Sequence, residues 1–413
     1  MVSGRDPGEL GLYGFRKRMA HSYALELVDA IDMQHRCLWD YATEANKRVV
    51  ILGVPLTYPP RAVNGVMVSG CLTPDSDSDF TWPTARKAEL VDRFGPYIID
   101  VADYRGGNKG KLFDDICRMS RQRFAMATYL WQAEQPDLLM MVDMGPDRFH
   151  HAFWDSIDPS HPKYVPNNAN AQLGGDYYAM LDGLVGDLLA VTDDNTLVCV
   201  VSDHGAQAMH GGFCINDWLI DQGLLVLKHR PENPTVLEPT MVDWHHTQVW
   251  AEGGYYSRLF INLEQRECHG IVPHHRYDAL RDHVIRELMQ VTTSAGQTLR
   301  NTIVRPETVY RATHGFAPDL MAIFDDLRYR AIGTVGHHAW CVSSNDQGFD
   351  AANHAWNGIF VMAGPGLEAV GERNDLEIYD VTRTVLDAMH ITPPQDLLGK
   401  TIMSGSKQTA GAI

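Results

Sequence analysis

The chain has 413 residues, 45% of them hydrophobic and 21% charged, which is the balance of a soluble globular protein with a large core. Its formal net charge is −17 with no lysine and arginine cluster, which argues against nucleic acid and anionic membrane surfaces as partners. A phosphate site in such a body needs metal ions to supply positive charge.

The first fifteen residues, MVSGRDPGELGLYGF, place Gly4, Gly8, Gly11 and Gly14 around Pro7, a tightly turning stretch that can pass close to a bound group. A helical pattern is predicted over 15–44, followed by a strand over 48–54. Helix 109–135 leads into strand 137–143, and helix 176–191 into strand 196–202. A further helix is expected over 277–292, with strands at 319–324 and 358–362. This alternation predicts an α/β fold with a largely parallel, buried sheet and crossover helices. Polar loops rich in Pro, Gly and Asn are expected over 103–111, 158–176 and 229–240. The length exceeds a usual single domain, and residues 213–313 interrupt the rhythm. They read as an inserted cap on a core formed by 1–212 and 314–413. Seven scattered cysteines, at 37, 71, 117, 199, 214, 268 and 341, never show C-x-x-C spacing and fit reduced thiols in a cytoplasmic protein. No apolar run approaches the ~18 residues of a membrane span, and no leader pattern opens the sequence.

In open α/β sheets ligands bind beyond the C-terminal ends of strands, so the polar residues there carry the chemistry. DLLMMVDMGPDRFHHAFW places Asp147 and His151 four apart on one helix face, with His150 also in reach. TLVCVVSDHG ends in Asp203 and His204, and His354 lies just before the last strand. The first two have a plainer reading: an acidic helix start beside surface histidines, and a strand that simply turns at Asp-His-Gly. Taken together they form an N- and O-donor set without cysteine, which suits Zn²⁺ or Mn²⁺. Two such ions about 4 Å apart clamp an in-line displacement at phosphorus.

These stretches, with SGRDPGELGLYGF, VPLTYPP, GVMVSGCLTP, FCINDWL, RLFINLEQRECHGIV, GFAPDLMAIF and NHAWNGIFVMAGPG, run in one order along most of the chain. The whole resembles the alkaline phosphatase superfamily, in its type I phosphodiesterase/nucleotide pyrophosphatase branch. The resemblance implies a central, mostly parallel sheet flanked by helices, with an inserted cap and two divalent metals, Zn or Mn. It implies Asp147, His151 and His354 around one metal and Asp203 and His204 around the other, and it favours His151 over His150. The second metal's remaining ligands, an aspartate ending the first strand and a Thr or Ser nucleophile, would fall before Met1. The resemblance thus implies a missing first strand, whose loss would leave two unpaired strand edges.

Thr57 in LTYPP looks like the nucleophile triplet, but the family carries a similar segment besides its nucleophile, so a stiffened strand-to-loop transition is the preferred reading. The family's His before Gly is Leu10 here, and its phosphate-holding Asn is Phe15. Arg16, Lys17 and Arg18 sit beside that position, where they could contact phosphate, but a basic helix face is the commoner reading of such a run. Cys71 in CLTPD lacks the sulfatase motif. The expected activity is metal-dependent hydrolysis of a small-molecule phosphodiester or phosphomonoester, or of a nucleotide-like substrate, through a Thr or Ser phosphoenzyme. A phosphomutase, or a non-catalytic protein binding metal and phosphate ester, are the rival readings.

Overall fold

The computed structural model describes residues 1–19, 21–102, 104–105, 108–293, 295–369 and 371–403. The glycine-rich opening contains a single helical turn, α1 (Pro7–Leu10). Asp6 accepts from the Glu9 N–H at 2.8 Å, Glu9 reaches back to the Asp6 N–H, and Gly11 closes the turn at φ 69°. The close approach that glycine permits here is to the chain itself, since a Cβ on Gly8 would meet the Ala312 carbonyl at 2.1 Å.

The helix expected over 15–44 does not form. Arg16–Arg18 (β1) and Leu25–Leu27 (β2) pair as an antiparallel hairpin, and among the described residues of this stretch only Leu38–Glu44 (α2) is helical. Asp29 and Asp32 turn their carboxylates onto the N–H groups of Ile31 (2.7 Å) and Asp29 (3.0 Å), which competes with helical bonding. Arg18 is drawn into a buried ion pair with Glu267.

Next come β3 (Val49–Leu52), β4 (Gly65–Val68), β5 (Thr81–Trp82), α3 (Arg86–Phe94), α4 (Lys109–Glu134) and β6 (Leu138–Met141). The strands lie in the order β5-β4-β3-β6, with β3 parallel to β4 and β6 and with β5 antiparallel. Strand β3, VVIL, is covered on both faces. Val50 and Leu52 pack with Leu90 of α3 and Met126, Ala127 and Leu130 of α4, whereas Val49 and Ile51 pack with Trp39 and Ala42 of α2. Burial on two sides is what selects an unbroken apolar strand instead of an alternating one.

The chain continues through α5 (Gly145–Ile157), α6 (Leu173–Leu189), β7 (Val198–Val201), β8 (Gly205–Ala208), β9 (Gly211–Cys214) and α7 (Ile215–Asp221). Then follow β10 (Val249–Glu252), β11 (Ser257–Ile261), α8 (Tyr277–Leu288), β12 (Thr302–Val304), α9 (Pro306–Val309), β13 (Leu320–Ile323) and β14 (Tyr329–Ile332). The last elements are β15 (Cys341–Val342), β16 (Ala352–Ala355), β17 (Phe360–Ala363) and α10 (Asp380–Ala388). An antiparallel sheet, β10-β11-β13-β12, packs on Trp218 and Leu219 of α7 and on Leu280 and Val284 of α8. It joins strands from both sides of residue 313.

Strands β7 and β17 pair antiparallel, as do β8 and β16. β6 is the last strand of its sheet, and its four residues are half-buried. Among the described residues β7 pairs with β17 alone, and the facing Val200 and Val361 are 40% and 56% exposed. Of the expected loops, 158–176 is irregular as far as α6, and 229–240 as far as a short turn at Pro239–Met241. In the third, residues 103, 106 and 107 lie outside the described residues, and α4 begins at Lys109. All seven cysteines are free, and no described helix is long and apolar enough to cross a membrane.

Candidate metal centre

Helix α5 is held by its aromatic face. Phe149, Ala152 and Phe153 bury against Leu112, Ile116 and Met119 of α4 and Tyr177 of α6, with the Phe149 and Tyr177 rings stacked at 4.9 Å. A spacing of four residues is close to one turn, so Asp147 and His151 share another face of the helix. α5 also packs against β8 and β16. Strand β16 carries His354 opposite Ala206 of β8, and β8 follows directly on Asp203 and His204.

Three side chains converge there. His151 Nε2 lies 3.5 Å and His354 Nε2 lies 3.6 Å from Asp147 Oδ1, and one ligand atom from each residue lies within 4.8 Å of the others. Both Nε2 atoms are buried without a hydrogen-bond partner. A buried polar atom left unpaired costs about 1–3 kcal/mol. One carboxylate oxygen and two imidazole nitrogens are donors of the kind Zn²⁺ or Mn²⁺ takes, so these residues fit a divalent ion.

The surrounding groups aim these atoms. Arg148 bonds Asp100 through Nε (2.8 Å) and Nη2 (2.6 Å), and its Nη1 bonds Asp147 Oδ2 at 2.6 Å, which leaves Oδ1 facing the histidines. Asp350, fully enclosed, meets His151 Nδ1 at 2.7 Å. A proton held at Nδ1 leaves the Nε2 lone pair available to a metal ion. Burial opposes charge on His151, but Asp147 and Asp350 outweigh it and raise the pKa to about 9. Burial lowers that of His354, with Asp147 pulling partly back. It also works against the Asp147 carboxylate, yet the two histidines hold it well below the ordinary carboxylate range. The His354 ring is stacked on both faces, by His204 at 3.5 Å and 13° and by Tyr255 at 3.6 Å and 26°.

Asp203 and His204 come alongside this group. His204 Nε2 lies 4.0 Å from Asp147 Oδ1 and 3.6 Å from Asp203 Oδ1, while its Nδ1 donates to the Gly205 carbonyl at 2.9 Å. The Asp203 side chain is 68% exposed. Three of the five residues chosen from the sequence thus form a closed group, and the other two stand at its open edge.

His150 points elsewhere. Its Nε2 meets the Tyr178 hydroxyl at 2.6 Å, and burial lowers its pKa to about 4. Thr57 is buried, donating to the Val54 carbonyl at 2.6 Å and accepting from Gly70 N–H at 3.1 Å, so its hydroxyl is structural. Arg16, Lys17 and Arg18 lie on a strand, not on the basic helix face expected, and face Glu252, Asp32 and Glu267 respectively.

Asp350, Arg148 and Tyr255 are missing from the residues chosen by sequence. Arg148 follows Asp147 directly, a cation beside a candidate carboxylate, and that signal was legible. Asp350 and Tyr255 sit in DAANH and GGYY, which carry no pattern beyond a strand end and a turn.

A search of curated proteins by sequence finds no match. Among solved structures the fold is shared with phosphonoacetate hydrolase from Sinorhizobium meliloti 1021, at 13% identity and a TM-score of 0.57, over 94% of this chain and 82% of that one. It is shared with human ectonucleotide pyrophosphatase/phosphodiesterase 5 at 13% identity and a TM-score of 0.51, over 97% and 86% of the two chains. The murine form of that protein gives 13% and 0.50, over 96% and 86%. The model of the family described as Type I phosphodiesterase / nucleotide pyrophosphatase matches residues 1–361, and this chain belongs to that family.

Proposed function

We propose that this chain hydrolyses phosphate esters of small, nucleotide-like molecules, with one divalent ion held by Asp147, His151 and His354 and a second by Asp203 and His204. The observation that carries this reading is the convergence of two buried, unpartnered Nε2 atoms on one Asp147 oxygen. A divalent ion held there, Zn²⁺ or Mn²⁺, would supply Lewis-acid polarisation of a phosphoryl oxygen and would offset the charge that builds in the transition state.

The chain's own groups prepare that position. Arg148 occupies Asp147 Oδ2 and so directs Oδ1 inward, and Asp350 keeps a proton at His151 Nδ1. Burial keeps His354 neutral and able to donate its lone pair. The His204 bond to its neighbouring carbonyl leaves Nε2 facing Asp203. A phosphoenzyme step in this reading needs a hydroxyl other than Thr57, whose oxygen is already bonded on both sides.

The test is elemental analysis of the purified chain together with turnover of aryl phosphate mono- and diesters in the presence of Zn²⁺ or Mn²⁺. The expected result is bound divalent metal and an activity that a chelator abolishes and Asp147→Asn lowers by roughly a hundredfold or more. Ester turnover indifferent to both chelator and D147N would overturn the reading.

A further inference from the structure

We propose that Tyr255 is a positioning residue of the metal centre, fixing the His354 imidazole so that its Nε2 faces Asp147. The inference rests on the metal-binding reading given above and adds to it a residue from a different part of the chain, the turn between β10 and β11.

His354 is the ligand with the fewest restraints of its own. His151 is tied at Nδ1 by Asp350 and Asp147 at Oδ2 by Arg148. The His354 ring takes part in no side-chain hydrogen bond among the described residues, and its Nε2 is unpartnered. What restrains it is contact on its faces. Two rings stacked at 3.5 and 3.6 Å must lie on opposite sides of it, so His204 and Tyr255 form a clamp whose plane sets the direction of Nε2. Tyr255 also lies 5.9 Å from the His151 ring at 25°, and so faces both histidine ligands.

A clamp works only if its jaws are fixed, and the Tyr255 backbone is. Gly254 exchanges two hydrogen bonds with Ala331 next to it, N–H to carbonyl at 2.9 Å and the reverse at 3.0 Å. A Cβ on Gly253 would meet Gly333 N at 2.4 Å, so the two chain segments touch along their backbones. On the other side the Tyr256 hydroxyl donates to the Tyr13 carbonyl at 2.6 Å. The ring is held as well, because the Arg330 guanidinium lies 4.8 Å over it, and Arg330 Nη1 is 3.9 Å from Asp350, the carboxylate that orients His151. One arginine therefore borders the supports of both histidine ligands. Burial raises the Tyr255 pKa, keeping a neutral ring against the imidazole.

The test compares Tyr255→Ala and Tyr255→Phe with the parent chain by Zn²⁺ competition titration, with thermal unfolding as the check on folding. Loss of an outer support typically weakens metal binding by about 10–100-fold. The expectation is that Y255A loses about tenfold or more while Y255F stays within about twofold, because the stacked face is kept and only the hydroxyl goes. A metal-free readout accompanies it: the His354 ring protons, shielded by the tyrosine face, should move downfield in the NMR spectrum of Y255A and stay in place in Y255F. Unchanged His354 shifts in a folded Y255A overturn the inference, as does a Zn²⁺ affinity equal to the parent's. Y255F falling as far as Y255A also overturns it by assigning the role to the hydroxyl. A parent chain that binds no Zn²⁺ refutes the metal reading instead, and the shift comparison still decides whether the Tyr255 ring lies against His354.

Discussion

Replacing Asp350 with Asn tests how the site is supported, because this carboxylate serves His151 and two arginines at once. One oxygen meets His151 Nδ1 at 2.7 Å, while the other takes Arg105 and Asn345 at 3.2 Å each, with Arg330 3.9 Å away. The substitution preserves the shape and removes the charge, which leaves two mostly buried guanidinium groups without their anion. Breaking a buried ion pair by removing one partner costs about 3–5 kcal/mol, and the residual exposure of Arg105 and Arg330, 13% and 11%, favours the lower end. The His151 ring keeps at most a neutral amide oxygen as acceptor at Nδ1, which should weaken metal binding by about 10–100-fold, or about 1.4–2.7 kcal/mol. Urea denaturation of the metal-free protein measures the first quantity, and Zn²⁺ competition titration the second. An unchanged unfolding midpoint together with an unchanged affinity would refute the reasoning. Lost stability with full affinity would confine Asp350 to a structural role.

Four further outcomes are expected. His150→Gln should leave Zn²⁺ affinity within about twofold, while His151→Gln should lose at least about a hundredfold, because only His151 faces Asp147; a titration of the two variants checks it. Gly8→Ala should destabilise by about 1–3 kcal/mol in urea, since the new methyl would collide with the Ala312 carbonyl and the Tyr310 side chain. Burial pushes the Cys37 thiol up to about 12 and those of Cys199 and Cys341 to about 11, so at pH 8 a thiol reagent should modify the exposed Cys268 first and Cys37 only after unfolding. A raised folded-state value means that the stability contributed by the neutral Cys37 thiol is complete below about pH 9 and falls as pH climbs towards 12. Cys37→Ala should flatten that alkaline loss.

The parallel core was legible in the sequence because two-sided burial leaves an unbroken apolar run such as VVIL, which no amphipathic element produces. The four-residue spacing of Asp147 and His151 was legible for a similar reason, being a property of one helix. The error over 15–44 has a local cause as well: the turn depends on where Asp29 and Asp32 direct their carboxylates, and apolar spacing is blind to that. The supports of the site were hidden because they arise between distant segments. Asp350 reaches His151 across 199 positions of sequence, and Tyr255 stacks on His354 from another sheet. Sequence pattern reports what one element buries, while the aim of a ligand atom is fixed by what a neighbouring element brings.

The outer edge of β6 and the bare face around Val200 and Val361 bear on how the protein behaves at high concentration. A strand that ends a sheet displays a row of free N–H and C=O groups, which is a template for another chain's backbone. Here such an edge goes with valines whose exposed surface adds apolar attraction. Opposing this is the net charge of −17, which keeps copies of the chain apart at low salt. Salt screens that repulsion over about 10 Å at 0.1 M but leaves backbone pairing and apolar contact intact. Colloidal stability of this protein should therefore fall as salt is added, and a lysine in place of Val361 should restore it.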